Sequence, residues 1–319
     1  MKPIGGEIAF KEENYQSFFT DSGRSSLRLF FRSFDYKNKK VLLPNFFCDI
    51  IEQILKEESI AYEFYNVNSN FSINSDEINN KQFDILYVIN YFGSITELEN
   101  INLTHKILLE DNVFSINFSN NHKAKKWYAF NSFRKITSLT DGSLIKTNLP
   151  INDSNIVKQQ ATYVDYKVEA SIIKYNFFKN DSGSENGYIN LFKKGEQEID
   201  KQNIIYSISS SSLHKLFSIN FEKEKEISEK RFNKLKEVIA FKKIVPEYFT
   251  FFTLELNSKN NFINHMRKHQ VYLPYFWQKT SQNNEMYNKL VAIPLFSNYS
   301  DAEFNFIYKL LLEYINNQS

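Results

Sequence analysis

The sequence predicts an α/β protein: a large domain built on a mainly parallel sheet flanked by helices, then a smaller α+β C-terminal domain. Three observations lead there. Short apolar runs rich in β-branched and aromatic residues recur at 40–43 (KVLL), 61–67 (AYEFYNV), 83–89 (FDILYVI), 107–109 (ILL), 127–130 (WYAF) and 143–146 (SLIK). Several are apolar throughout instead of alternating, which is the pattern of parallel strands covered on both faces. Segments long enough for helices separate them, as βαβ units require.

In chain order, the run at 40–43 is stopped by Pro44, and residues 49–58 follow with Ile50, Ile51, Ile54 and Leu55 at helical spacing. The runs at 61–67, 83–89, 107–109, 127–130 and 143–146 supply further strands. From about 151 to 212 the chain turns polar, and 180–187 (NDSGSENG) is expected to be a loop. Residues 221–241 are charged and helix-prone, which predicts one long surface helix. Strand-like 248–256, helix-like 261–269 and strand-like 271–273 follow. Ser300 with Glu303 three residues on forms a capping box, and Phe304, Ile307, Tyr308, Leu311, Leu312 and Ile315 continue at helical spacing. The domain division is expected at 1–205 and 206–319, and no internal repeat is visible.

Composition narrows the class. The 319 residues are 42% hydrophobic and 24% charged, enough for a large core and more than one domain's usual share. A net charge of +2 argues against a protein that coats nucleic acid or an anionic membrane. The single cysteine, Cys48, excludes an internal disulfide framework and fits a reducing compartment. The opening MKPIGGEIAF has no signal-peptide core, and no apolar run reaches transmembrane length. A soluble, cytoplasmic globular protein is the expectation.

Four segments carry candidate chemistry. The first, 21–27 (DSGRSSL), is a small-residue turn opening an amphipathic stretch; its free N–H groups can face a phosphate, although alone it reads as an ordinary N-cap. The second, 107–112 (ILLEDN), is an apolar strand ending in acids, at the sheet edge where α/β folds bind ligands; a turn residue gives the same pattern. The third, 131–137 (NSFRKIT), places Lys135 three residues after Ser132 and just before Asp141 and Gly142. The fourth, 87–93 (YVINYFG), is a strand running into an aromatic turn, and alone it is core plus turn.

Taken together and in order, these segments resemble the DegT/DnrJ-type family of pyridoxal-phosphate (PLP) dependent sugar aminotransferases, of the aspartate-aminotransferase fold type. The resemblance spans nearly the whole chain. Residues 3–6 (PIGG) and 22–27 (SGRSSL) resemble the family's N-terminal turn and phosphate loop, and 41–48 (VLLPNFFC) its strand–proline–aromatic segment. Residues 90–93 (NYFG), 109–111 (LED), and 132–135 (SFRK) with Asp141 and Gly142 resemble the aromatic turn, the aspartate segment and the lysine segment. Residues 209–213 (SSSSL), 229–233 (EKRFN), 293–296 (IPLF) and 299–301 (YSD) match downstream features.

The resemblance implies that Lys135 carries the cofactor and moves protons, and that Asp111 keeps the pyridine nitrogen protonated. It implies that the turn at Ser22, Gly23, Arg24 and Ser25, with Ser132, holds the phosphate, and that Phe47, Cys48 and Phe114 flank the ring. A glutamate or glutamine amino donor, a keto-sugar acceptor normally linked to a nucleotide, a role in surface polysaccharide or glycan synthesis, and a homodimer are implied as well. The chain departs from the family pattern at four places. Arg24 stands where Thr or Ser is usual, and Phe114 where Gln or His is. Cys48 replaces the stacking aromatic. Phe130 replaces a hydroxyl, for which Ser132 is the substitute.

Two other readings stay open. A PLP-dependent dehydratase or decarboxylase fits the same scaffold, though such dehydratases typically carry His in place of the lysine. A non-catalytic binder of PLP or a sugar nucleotide is favoured by Phe114 and the missing aromatic, and opposed by Asp111 with Lys135. Other features have plainer readings. The run 122–126 (HKAKK) is a solvated loop; His105, His214, His265 and His269 show no metal-ligand spacing beyond the isolated pair at 265 and 269; Cys48 is a small buried residue; Arg231 and Asn233 serve helix packing or an interface.

Overall fold

A computed structural model describes residues 14–36, 38–116, 118, 124–180, 182–277, 280, 282 and 284–317. Residues 3–6 and the first part of the 122–126 run lie outside them.

The first half alternates strands and helices as expected. Strand β1 (Gln16–Thr20) leads into helix α1 (Gly23–Arg32), then β2 (Lys40–Pro44), α2 (Asp49–Glu57), β3 (Ala61–Tyr65), the short α3 (Ser75–Asn79) and β4 (Ile85–Ile89). After a tight turn come β5 (Ile107–Asn112), β6 (Lys126–Asn131), the single-turn α4 (Phe133–Ile136) and β7 (Ser143–Thr147). These seven strands form one sheet in the order β1-β7-β6-β5-β4-β2-β3. The stretch from β3 to β6 is parallel throughout, and only β7 runs against its neighbours. Every residue of β4 is buried, which is why that run is apolar without alternation.

The polar stretch after β7 is more ordered than its composition predicts. The two-residue β8 (Ile156–Val157) precedes a helical hairpin, α5 (Thr162–Asn180) and α6 (Glu185–Lys201), and β9 (Ile205–Tyr206) pairs back onto β8. The expected loop at 180–187 shrinks to the connection before Glu185, because the Ser184 hydroxyl accepts from the Gly187 amide and starts α6 early. Helix α5 carries apolar residues on all sides, with Ile172, Tyr175 and Phe178 exposed, so no single stripe marks it in the sequence.

Helices α7 (Ser210–Leu216) and α8 (Phe221–Lys236) follow, the latter five residues shorter than its charge pattern predicts. Strand β10 (Phe251–Glu255), α9 (Lys259–Lys268), the short α10 (Met286–Lys289), β11 (Leu290–Pro294) and α11 (Asp301–Asn316) complete the chain. β10 and β11 form a separate antiparallel pair. Residues 271–273 are not a strand: the Val271 amide donates to Met266 at the end of α9, so the segment is the exit of that helix. The capping box of Ser300 and Glu303 is formed at the start of α11. Arg231, 4% exposed, is a packing residue that donates to the carbonyls of Phe296 and Tyr299 and to Asp301.

Two apolar cores result. The larger packs around the seven-stranded sheet and recruits Phe251, Phe276, Trp277 and Tyr287 from the C-terminal third. The smaller joins α8, α9 and α11 to β10 and β11 through residues such as Phe232, Phe252, Phe262 and Leu311. No helix among the described residues is long and apolar enough to cross a membrane.

Gly93 joins the sheet to the C-terminal third. Its carbonyl accepts from the amides of Glu247 and Tyr248, its φ is +88°, and a Cβ there would lie 1.8 Å from the Tyr248 carbonyl oxygen. Gly93→Ala therefore both strains the backbone and pushes the two parts apart, and urea unfolding should show a loss of about 3 kcal/mol. An unchanged midpoint would contradict this placement.

Candidate active site

The C-terminal ends of the parallel strands build the floor of a cleft. Ile89, Asp111 and Phe130 are register partners on β4, β5 and β6, so their side chains share one face of the sheet. Tyr87, two residues before Ile89, shares that face. All four line the cleft, together with Ser22, Gly23 and Arg24 at the start of α1, Cys48 before α2, Ser132 and Lys135 at α4, and Phe114 and Trp277. The empty space between these residues, open mouth included, is about 660 Å³.

Asp111 is buried. Its Oδ2 accepts from the Tyr87 hydroxyl at 2.7 Å and its Oδ1 from the Val113 amide at 3.0 Å. Burial pushes its carboxyl up to about 6, against the pull of those two donors and of Lys135. Lys135 faces the same space. Among the described residues its ammonium makes no hydrogen bond or ion pair, and it sits 5.9 Å from the centre of the Phe276 ring. Burial lowers its pKa, and the neighbouring Arg134 guanidinium lowers it further.

Backbone hydrogen bonds place the lysine. Gly142 donates its amide to the Asp21 carbonyl at 2.6 Å, and its carbonyl accepts from the Phe133 amide at 2.9 Å. The turn before α1 and the turn carrying Lys135 are thereby tied to the same residue. At φ +114°, with a Cβ that would come within 2.7 Å of Ile208, Gly142 admits no larger side chain without strain. The adjoining Asp141 accepts from both the amide and the hydroxyl of Ser209, each at 2.7 Å, and so fixes the start of α7.

A cationic cluster borders the cleft. Arg134 lines it and donates to Glu196 of α6 at 2.8 Å, and Lys167 of α5 donates to the same oxygen. Burial pushes the Glu196 carboxyl up, but Arg134 and Lys167 outweigh it and hold the pKa at about 2. Burial and Arg134 bring Lys167 down to about 8. One turn further along α6, Asp200 accepts from Arg24 at 2.6 Å.

Eight of the residues singled out from sequence therefore line one cleft: Ser22, Gly23, Arg24, Cys48, Asp111, Phe114, Ser132 and Lys135. Two do not. Ser25 is buried behind the turn, where its amide caps onto the Ser22 hydroxyl and its own hydroxyl meets Gln202. Phe47 points into the core and stacks on Phe64 at 5.6 Å; the bend after Pro44 presents Cys48 to the cleft in its place. Burial pushes the Cys48 thiol up, so it is no thiolate. Arg24 directs one arm of its guanidinium to α6, onto Asp200 and the Ile199 carbonyl. Sequence reasoning missed Tyr87, which the two-residue period back from Ile89 could have found. It also missed Arg134 and Glu196, and Trp277, which no local signal announces.

No family model and no curated protein matches the chain by sequence. Solved structures do match. A DegT DnrJ EryC1 StrS aminotransferase from Brucella abortus superposes with a TM-score of 0.61 at 12% identity, over 93% of this chain and 85% of that one. The histidinol-phosphate aminotransferase of Clostridium acetobutylicum gives 0.55 at 13%, over 96% and 85%. Spr1654 of Streptococcus pneumoniae, assigned as a sugar aminotransferase, gives 0.63 at 10% in its apo form, over 92% and 84%, and has also been solved in PLP and PMP forms. The fold is that of the aminotransferases.

The cleft fits the cofactor that fold type uses. PLP needs an amine for its aldehyde, an acid for its ring nitrogen and donors for its phosphate. Among the described residues the Lys135 amine has no hydrogen-bond or ion-pair partner and the buried Asp111 carboxylate has no cation bonded to it, and the N-terminus of α1 with Ser22 and Ser132 supplies donors to an anion.

Asp111 binds its proton more tightly in the folded chain than an ordinary aspartate, about 6 against 3.8. Its contribution to stability is thus complete below pH 3.8 and is lost as the pH rises through 6. Asp111→Asn removes that titration. In ligand-free protein, the unfolding free energy of the variant minus that of the wild type should rise across this window. A flat difference would mean that Asp111 is not held up.

Proposed function

We propose that this chain is a PLP-dependent aminotransferase that moves an amino group from an amino acid, glutamate or glutamine, to a nucleotide-linked keto-sugar. The observation that carries the reading is the placement of Asp111 and Lys135 in one cleft, the lysine enclosed there with no counter-ion among the described residues. The aminotransferase fold supports it. The sugar acceptor rests on the ordered sequence resemblance and on likeness to Spr1654, with surface polysaccharide or glycan synthesis as the setting. The same reading includes a homodimer, a cytoplasmic location inferred from the single cysteine, and a division of the chain near residue 205 between a cofactor domain and a smaller one.

PLP supplies an aldehyde that holds the amino group and a protonated ring that accepts the electron pair released at the substrate carbon. This chain's own groups do the rest. Asp111, fixed by Tyr87 and Val113, keeps a proton on the ring nitrogen, and a cation there draws its pKa down from about 6. Lys135 would hold the aldehyde, and its free amine is placed to move a proton at the substrate carbon. Its lowered pKa leaves more of it as free amine near neutrality. Ser22, Gly23 and Ser132 orient the phosphate, and the Phe114 and Trp277 side chains exclude water.

The test is a spectrum of the protein with PLP, before and after L-glutamate or L-glutamine. A visible cofactor band that the donor bleaches, absent in Lys135→Ala, is the expected result. A band that no donor changes would move the assignment to decarboxylation or to simple binding, and no band would remove the cofactor. Arg134→Leu removes the cation beside Lys135, so the lysine's pKa rises and the acid limb of the donor half-reaction should move to higher pH. A limb that stays in place would show that Arg134 does not act on Lys135.

A further inference from the structure

Trp277 reaches the cleft from a segment without regular secondary structure, and a buried lysine grips that segment. Lys259, the first residue of α9, donates to the carbonyls of Phe276 at 3.1 Å and Trp277 at 3.3 Å. Its ammonium also lies 4.0 Å from the centre of the Tyr275 ring. The next residue, Asn260, accepts from the Tyr275 hydroxyl at 3.1 Å. Three consecutive residues are gripped from the first turn of α9.

This is a poor place for a cation if stability alone mattered. Lys259 is 1% exposed, and among the described residues it has no ion-pair partner. The first turn of α9 holds no acid, so the ammonium faces the positive end of the helix dipole. Burying a charge with no opposite charge is costly, and an apolar side chain of the same length is often the more stable choice. A residue that breaks local rules in this way commonly serves a site. Burial brings its pKa down to about 8, which fits a cation supported by carbonyls alone.

The grip sets an aromatic wall. Phe276 packs edge-on against Phe114 at 5.2 Å and Phe92 at 5.3 Å, and it is the ring nearest the Lys135 ammonium. Trp277 packs on Phe46 at 4.9 Å and lines the cleft with Asp111 and Cys48. The sequence lacks an aromatic at Cys48, and the wall brings one in from the other end of the chain.

We propose that Lys259 is a positioning residue: by clamping the carbonyls of Phe276 and Trp277 it sets the aromatic wall that closes the cleft on the flat ring of the cofactor beside Lys135. The cofactor part rests on the function proposed above; the clamp itself does not.

The experiment uses the full chain in a Trp127→Phe background, so that Trp277 is the only tryptophan. Lys259→Met and Lys259→Arg are compared for quenching of Trp277 emission by acrylamide, for thermal midpoint and for PLP affinity. The Met variant should keep or raise the midpoint, expose Trp277 to quencher and weaken PLP binding about tenfold, the worth of a hydrogen bond to a charged group. The Arg variant, which keeps the donors, should recover part of both losses. Lys259→Gln takes the Met variant's place if that variant does not fold. Quenching and affinity that stay at wild-type values would overturn the proposal, as would an affinity loss that only tracks a falling midpoint. If the parent protein takes up no PLP, the cofactor reading fails by itself, and Trp277 quenching alone upholds or overturns the clamp.

Discussion

The amide of Gly142 donates to Asp21 and its carbonyl accepts from Phe133, while the adjoining Asp141 holds the amide and hydroxyl of Ser209. Through this one turn the N-terminus of α1, the helical turn carrying Lys135 and the start of α7 are fixed relative to one another. The parallel sheet supplies the remaining coordinate, since register places Asp111 between Ile89 and Phe130 at the strand ends. Lysine, carboxylate and helix terminus meet because backbone hydrogen bonds leave them no other arrangement. Side-chain contacts then adjust the chemistry of a site whose geometry is already set.

That adjustment is electrostatic. Two groups with opposite tasks are moved by the same burial: Asp111 is pushed up and Lys135 down, so each is easier to convert to its neutral form than in water. Tyr87 and the Val113 amide limit the first shift, and Arg134 deepens the second. The hairpin of α5 and α6 enters here, because Glu196 secures Arg134 and Lys167 at the rim and Asp200 secures Arg24. A segment that looks like featureless polar chain is what holds the basic residues around the cleft.

Much of this was legible in sequence, for physical reasons. Buried parallel strands favour unbroken apolar runs, so β2, β4 and the first half of β5 announce themselves, and the capping box marks α11 from local rules alone. Asp111 and Lys135 were found because strand ends and the turn beside Gly142 are short-range features. What failed was non-local. Phe47 and Cys48 are neighbours, and only the bend of the folded chain decides which of them faces the cleft. Helix α5 has no single apolar stripe, and residues 271–273 have a strand's composition but a helix exit's hydrogen bond. Trp277 and its clamp Lys259 come from packing between distant segments, on which no sequence pattern reports.

On this reading Lys135, and no other lysine of this chain, is the residue that takes the cofactor. Incubation with PLP, reduction with borohydride and peptide mapping by mass spectrometry tests it most directly. The expected result is a pyridoxyl adduct confined to the peptide containing Lys135. An adduct on Lys167 or Lys259, or one spread over surface lysines with Lys135 unmodified, would contradict it.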